Sequence, residues 1–168
     1  DADFQYETVH TFDVSSLAPQ VAAPHAPDNV KPLAAVEGTL INQAFLGSCA
    51  NGRLEDLAEA AAVVKGKKVH PDVRFVVTPA SREVMNAAIR AGYIETLNDA
   101  NAIVTNANCG MCPGLHGGVL APGDVAIACN TRNFEGRMGP NASVYLASPA
   151  SVAASALEGR ITSALKYL

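Results

Sequence analysis

Residues 41–66 read INQAFLGSCANGRLEDLAEAAAVVKG. An apolar run, Ile41 to Leu46, breaks at Gly47-Ser48, and a helical pattern follows. Leu54, Leu57, Ala58, Ala61 and Val64 share one helical face. Glu55 and Asp56 fall in the first turn, where the helix dipole favours negative charge, and Asn51 suits the N-cap. Gly66 suits the stop. A short strand feeding a helix through a tight turn is the building unit of an α/β protein. That turn also carries Cys49.

Downstream the unit recurs. Val73 to Val77 reads as a strand, and Ser81 opens a helix with Val84, Ala87, Ala88 and Ala91 inward, stopped by Gly92. Ala102 to Thr105 is a third strand running into Cys109; Val125 to Cys129 and Val144 to Ala147 are the fourth and fifth. Ser148-Pro149 opens a last helix that ends near Gly159. Strands that alternate with helices, several of them continuously apolar, predict a three-layer α/β/α fold: a mainly parallel sheet with helices on both faces. Upstream, Phe4 to Asp13 alternates weakly and reads as a strand. Pro19, Pro24, Pro27 and Pro32 then impose an extended path. Residues 1–38 therefore read as a Pro-rich leading segment, a linker or a strap over a neighbour, and 39–168 as one α/β domain.

Composition narrows the function. A chain of 168 residues can bury one core, and 49% hydrophobic with 17% charged residues is a globular balance. The net charge is -4, and no basic run exceeds Lys67-Lys68, so a nucleic-acid partner is not expected. No apolar run approaches the length of a membrane span. No secretion signal leads the chain, so its four cysteines read as ligands or nucleophiles in a reducing, cytoplasmic compartment rather than as disulfides. The first residue is Asp1 rather than Met, which reads as a piece of a longer parent.

In a parallel sheet, ligands bind beyond the carboxyl ends of the strands. Cys49 follows the first core strand, Cys109 follows the third, and Cys129 ends the fourth. A Cys49 thiolate in its turn lies near the positive end of a helix. Cys109 and Cys112 sit three apart on a Gly-bearing loop. By itself that turn fits two metals of one cluster, one zinc, or an inert pair. His116 reads as a fourth ligand or a solvated loop residue, and Cys129 as core filling. Arg132 and Arg137 lie five apart around Gly136. They suit planar carboxylate binding or ordinary surface ion pairs. A dinucleotide-binding reading fails, because no G-x-G-x-x-G follows the first strand.

Taken together, three segments resemble the aconitase superfamily. Phe45 to Leu57 is similar to the family's GSCTNGRxEDL signature, with Ala50 in place of Thr. Asn108 to Cys112 resembles its GCxxC signature, with Asn108 in place of Gly. Thr131 to Gly136 resembles NRNFEG, with Thr131 in place of Asn. Asp13 to Leu17, Pro24 to Val30 and Ser148-Pro149 add weaker likeness, closest to the branch of large subunits from 3-isopropylmalate dehydratases and homoaconitases.

The resemblance implies a [4Fe–4S] cluster on Cys49, Cys109 and Cys112, and substrate carboxylates on Arg132 and Arg137. It implies a hydro-lyase that moves a hydroxyl of a small hydroxy acid by dehydration and rehydration, with isopropylmalate and leucine biosynthesis favoured. Homocitrate, citrate and a dimethylmalate remain open within the family, and a zinc-binding interaction module outside it. The base is expected on a swivelling small subunit, and other large-subunit domains are expected around the cluster. On that reading the isolated chain is inactive and its cluster labile in air. The resemblance puts an amide at position 131, which Thr131 lacks. Asn130 is next to it, but an extended strand points it to the opposite face.

Overall fold

The computed structural model describes residues 3–167. Among these residues seven strands form one sheet: β1 (Gln20–Ala22), β2 (Val30–Pro32), β3 (Gln43–Gly47), β4 (Arg74–Thr78), β5 (Ile103–Val104), β6 (Val125–Ala128) and β7 (Ser143–Leu146). Their spatial order is β2-β1-β7-β6-β3-β4-β5. The five strands from β3 to β7 pair in parallel, while β1 pairs antiparallel with both β2 and β7. The chain is thus α/β with a mainly parallel sheet, as the alternation of elements predicts.

Among the described residues the α-helices are α1 (Leu54–Val64), α2 (Arg82–Arg90) and α4 (Pro149–Glu158), each after a strand, and α3 (Tyr93–Asp99), which follows α2 directly. They form one layer on one face. There Leu57, Ala60, Val63 and Val64 of α1 and Val152, Ala153 and Ala156 of α4 bury Leu46, Phe75, Val77 and Ile127. The expected second helical layer differs. The opposite face, with Phe45, Val76, Ala126, Ala128 and Val144, is covered by Met111, Leu120, Met138 and Ala142 from loops. Three layers exist, but the third is built of irregular backbone.

Handedness explains the division. From β3 to β4 to β5 the chain steps one way across the sheet, and its crossovers are helices on one face. From β5 it returns past β4 and β3 to reach β6, then continues to β7. Right-handed connections in the reversed direction must cross the other face. The loops 105–124 and 129–142 are those connections. The reversal occurs between β3 and β6, and in such sheets ligands bind beyond the carboxyl ends of the strands at that point.

Local chemistry sets the boundaries. Ser81 Oγ accepts from Val84 N, and Ser148 Oγ from Ser151 N, with Pro149 opening α4. Asn51 is not the cap of α1; Arg53 stands there, and its N–H donates to the Asp56 carboxylate at 2.9 Å. Gly92, at φ 78°, ends α2 and also starts α3, a helix that the periodicity does not reveal. Phe4 to Asp13 is not a strand: its large apolar side chains Phe4, Tyr6, Val9 and Phe12 are exposed and no neighbouring strand pairs with it. The leading segment instead contributes β1 and β2, which extend the sheet beyond β7.

Candidate functional site at the strand-order switch

The β3–α1 turn is held close to its neighbours by small residues. An added Cβ at Gly52 would lie 2.4 Å from Thr78 O and 2.6 Å from Ser48 O. Ala80 N donates to Gly52 O at 2.7 Å, which ties the turn to the end of β4. The Asn51 amide donates to Cys129 O, which ties it to the end of β6. Asn51 therefore bridges the two strands at the switch, a role the N-cap reading missed.

Cys129 completes that bridge from beneath. Its sulfur accepts from Gly47 N at 3.3 Å and its S–H donates to Asn51 O at 3.3 Å. Burial pushes its thiol up to about 12, so it stays neutral. The core-filling role expected of Cys129 is what the packing shows, with a clamp added.

The second cysteine loop covers the opposite face of the sheet. Met111 packs on the sheet, and fully buried Gln43 of β3 donates from Nε2 to Gly118 O at 2.6 Å. Cys112 N donates to Cys109 O at 2.8 Å, closing the turn between the two cysteines. Cys49 and Cys109 are exposed and Cys112 is half-buried. His116 is exposed on this loop, its ring lying against Gly110.

The loop after β6 brings its side chains to Cys112. Arg137 Nη2 is 3.5 Å from Cys112 Sγ, with its guanidinium 5.4 Å from the Phe134 ring centroid. Asn130, 6% exposed, directs Nδ2 toward Cys112 Sγ at 3.8 Å and Met138 Sδ at 3.7 Å. Thr131 and Arg132 are exposed. Asn133 is fully buried and serves structure: its amide donates to Ala23 O at 2.9 Å and Val144 O at 3.0 Å, fastening β7 to the segment after β1. Neither Gln43 nor Asn133 stood out in the sequence, although a polar residue within an apolar strand was a visible signal at Gln43.

The structure therefore joins Cys112 to Arg137 and sets Cys109 on the same turn. Cys49 lies on the separate β3–α1 turn, and no hydrogen bond reaches its sulfur among the described residues. No group of three or more His, Cys, Asp or Glu among those residues is gathered tightly enough for a single metal ion. Thiolates on different irons of one cube stand farther apart than the ligands of one ion. No helix among the described residues is long and apolar enough to cross a membrane.

The chain is thus an α/β domain whose cysteine-bearing turns follow strands β3 and β5 of a mainly parallel sheet. The family model for the aconitase family (aconitate hydratase) matches residues 34–159, and the chain belongs to that family. It is 60% identical over 163 residues to a probable methanogen homoaconitase large subunit of Methanothermobacter thermautotrophicus, covering 96% of this chain and 38% of that protein. It is 54% identical to 3-isopropylmalate dehydratase large subunit 1 of Methanopyrus kandleri, covering 100% of this chain and 40% of that one. The corresponding large subunit of Desulfosudis oleivorans is 52% identical, with 99% and 39% covered. The chain spans about two fifths of the length of these relatives.

Proposed function

We propose that this chain is the iron–sulfur domain of a hydro-lyase large subunit that isomerises a hydroxy di- or tricarboxylic acid by dehydration and rehydration. Cys49, Cys109 and Cys112 would hold a [4Fe–4S] cluster, and Arg132 and Arg137 would bind substrate carboxylates. The observation that carries this reading is the convergence of Arg137 and Asn130 on the Cys112 sulfur, beside the strand-order switch of an aconitase-family sheet.

The residues fit such a group on their chemistry. Two N–H donors aimed at one sulfur suit a thiolate, which is an acceptor only. Arg137 Nε is buried with no acceptor among the described protein atoms. When bound, the cluster supplies an iron without a protein ligand, a Lewis acid for the departing hydroxyl. This chain's own part is to orient. Arg137, braced on Phe134, would turn its guanidinium to a carboxylate, and Arg132 on the same loop offers a second fork. Fixing both carboxylates sets the carbon skeleton in place before a proton moves. The base lies outside this chain, on a small swivelling subunit, and the isolated chain is inactive.

The division into a leading segment, 1–38, and a cluster-binding unit, 39–168, belongs to this proposal. Supporting it, every parallel strand lies after residue 38. Free thiols suit a reducing, cytoplasmic setting. The substrate we assign is 3-isopropylmalate, in leucine biosynthesis, as the names of the second and third relatives suggest. A homocitrate-type substrate is the second reading, favoured by the 60% identical relative. The test is kcat/KM for both acids, using the large subunit that contains this chain with its small subunit. Higher kcat/KM on 3-isopropylmalate supports the assignment. Preference for homocitrate moves the protein to the second reading, and turnover of none of 3-isopropylmalate, homocitrate, citrate and dimethylmalate refutes the hydro-lyase proposal.

A further inference from the structure

Asn130 breaks two expectations at once. Extended backbone would turn it away from the crevice, and the family resemblance puts the amide one residue later. The side chain is nevertheless 6% exposed and lodged between two sulfurs, Cys112 Sγ at 3.8 Å and Met138 Sδ at 3.7 Å. Met138 Sδ carries no hydrogen, and a Cys112 thiolate holding a cluster carries none either, so a reversed amide would set its oxygen against two sulfurs that cannot donate. The nitrogen must therefore face them. Its Oδ1 is then left buried without a partner among the described atoms. A leucine would leave no buried acceptor unpaired. Stability alone does not account for an amide here.

We infer that Asn130 is a positioning residue for the cluster, its Nδ2–H donating to the Cys112 sulfur in place of the amide that Thr131 lacks. This rests on the iron–sulfur reading above. Cys112 then receives two donors, from Asn130 and Arg137. No donor reaches the sulfur of Cys49 or Cys109 among the described residues. The two donors differ in duty. The Arg137 guanidinium is the group assigned to substrate, so it can leave the sulfur when a carboxylate arrives. The Asn130 amide is buried and stays. Hydrogen bonds to cluster sulfurs stabilise the more reduced, more negative state and so raise the potential. Asn130 supplies the part of that effect that does not depend on substrate.

The test is the cluster's reduction potential, read by electron paramagnetic resonance during a redox titration of the anaerobically prepared large subunit containing this chain. Asn130→Leu removes the donor at similar size, Asn130→Ser shortens it out of reach of the sulfur, and Thr131→Val is the comparison. Both Asn130 variants should show a lowered potential, with iron content per chain retained, and should lose their cluster several-fold faster in air. Thr131→Val should match the wild type. Unchanged potentials in both Asn130 variants, or an equal drop in Thr131→Val, overturn the inference while leaving the cluster itself in place. If Asn130→Leu does not fold, Asn130→Ser carries the same decision. A wild-type protein that holds no iron fails the underlying reading instead, and its zero iron content separates that result from the others.

Discussion

Replacing Gly52 by alanine places a methyl group against backbone on three sides. The new carbon would meet Thr78 O at 2.4 Å, Ser48 O at 2.6 Å and Ala80 N at 3.1 Å. None of these is the end of a flexible side chain, so the β3–α1 turn itself must move. Overpacking costs about 1–3 kcal/mol, and backbone obstacles put this case near the upper end, about 3 kcal/mol. With a urea dependence of about 2 kcal/mol per molar, the unfolding midpoint falls by about 1.5 M. Gly66 is the control. It has a left-handed φ of +70° but nothing within 4 Å of an added Cβ. Gly66→Ala should therefore cost only the left-handed penalty, about 1–2 kcal/mol. Circular dichroism in urea ranks the two. A Gly52→Ala midpoint at or above that of Gly66→Ala refutes the steric account of the turn.

Gln43→Leu removes the buried donor to Gly118 O and should cost about 1–2 kcal/mol in urea. It should also speed alkylation of Cys112 by freeing its loop. Brief iodoacetamide treatment of the cluster-free protein at pH 8, read by mass spectrometry, should label exposed Cys49 and Cys109. It should spare Cys129, whose burial pushes its thiol up to about 12. Glu158 is held down to about 2, chiefly by hydrogen bonds from Lys166 at 2.7 Å and Tyr167 at 2.6 Å. A depressed carboxyl stabilises the fold above its unfolded value and loses that contribution as pH falls through its folded one. The stability advantage of wild type over Glu158→Gln should thus be full at pH 6 and vanish near pH 2 in denaturation curves.

The sequence carried the helical face of the fold well, because α1, α2 and α4 announce themselves by period, and α2 and α4 also by their caps. Ser81 and Ser148 start their helices where a hydroxyl followed by a helical pattern says they should. The other face was illegible for a physical reason. Met111, Leu120, Met138 and Ala142 cover the sheet from irregular backbone, at spacings that match no period. α3 was missed because Gly92 reads as a stop, while its left-handed φ here lets one helix end and the next begin. β1 and β2 were hidden by prolines, although a short edge strand tolerates them. In the site, the cysteine turns were legible from their glycines. The inward turn of Asn130 was not, since it arises where β6 has ended and strict alternation no longer applies.

Iron and sulfide analysis tests the central claim most directly, comparing the anaerobically reconstituted large subunit that contains this chain with its Cys49→Ser variant. Three thiolates from two turns sharing one cube predict about four irons and four sulfides per wild-type chain, and a marked loss of both in the variant. Equal iron in the two proteins, or about one zinc per chain held without Cys49, contradicts it.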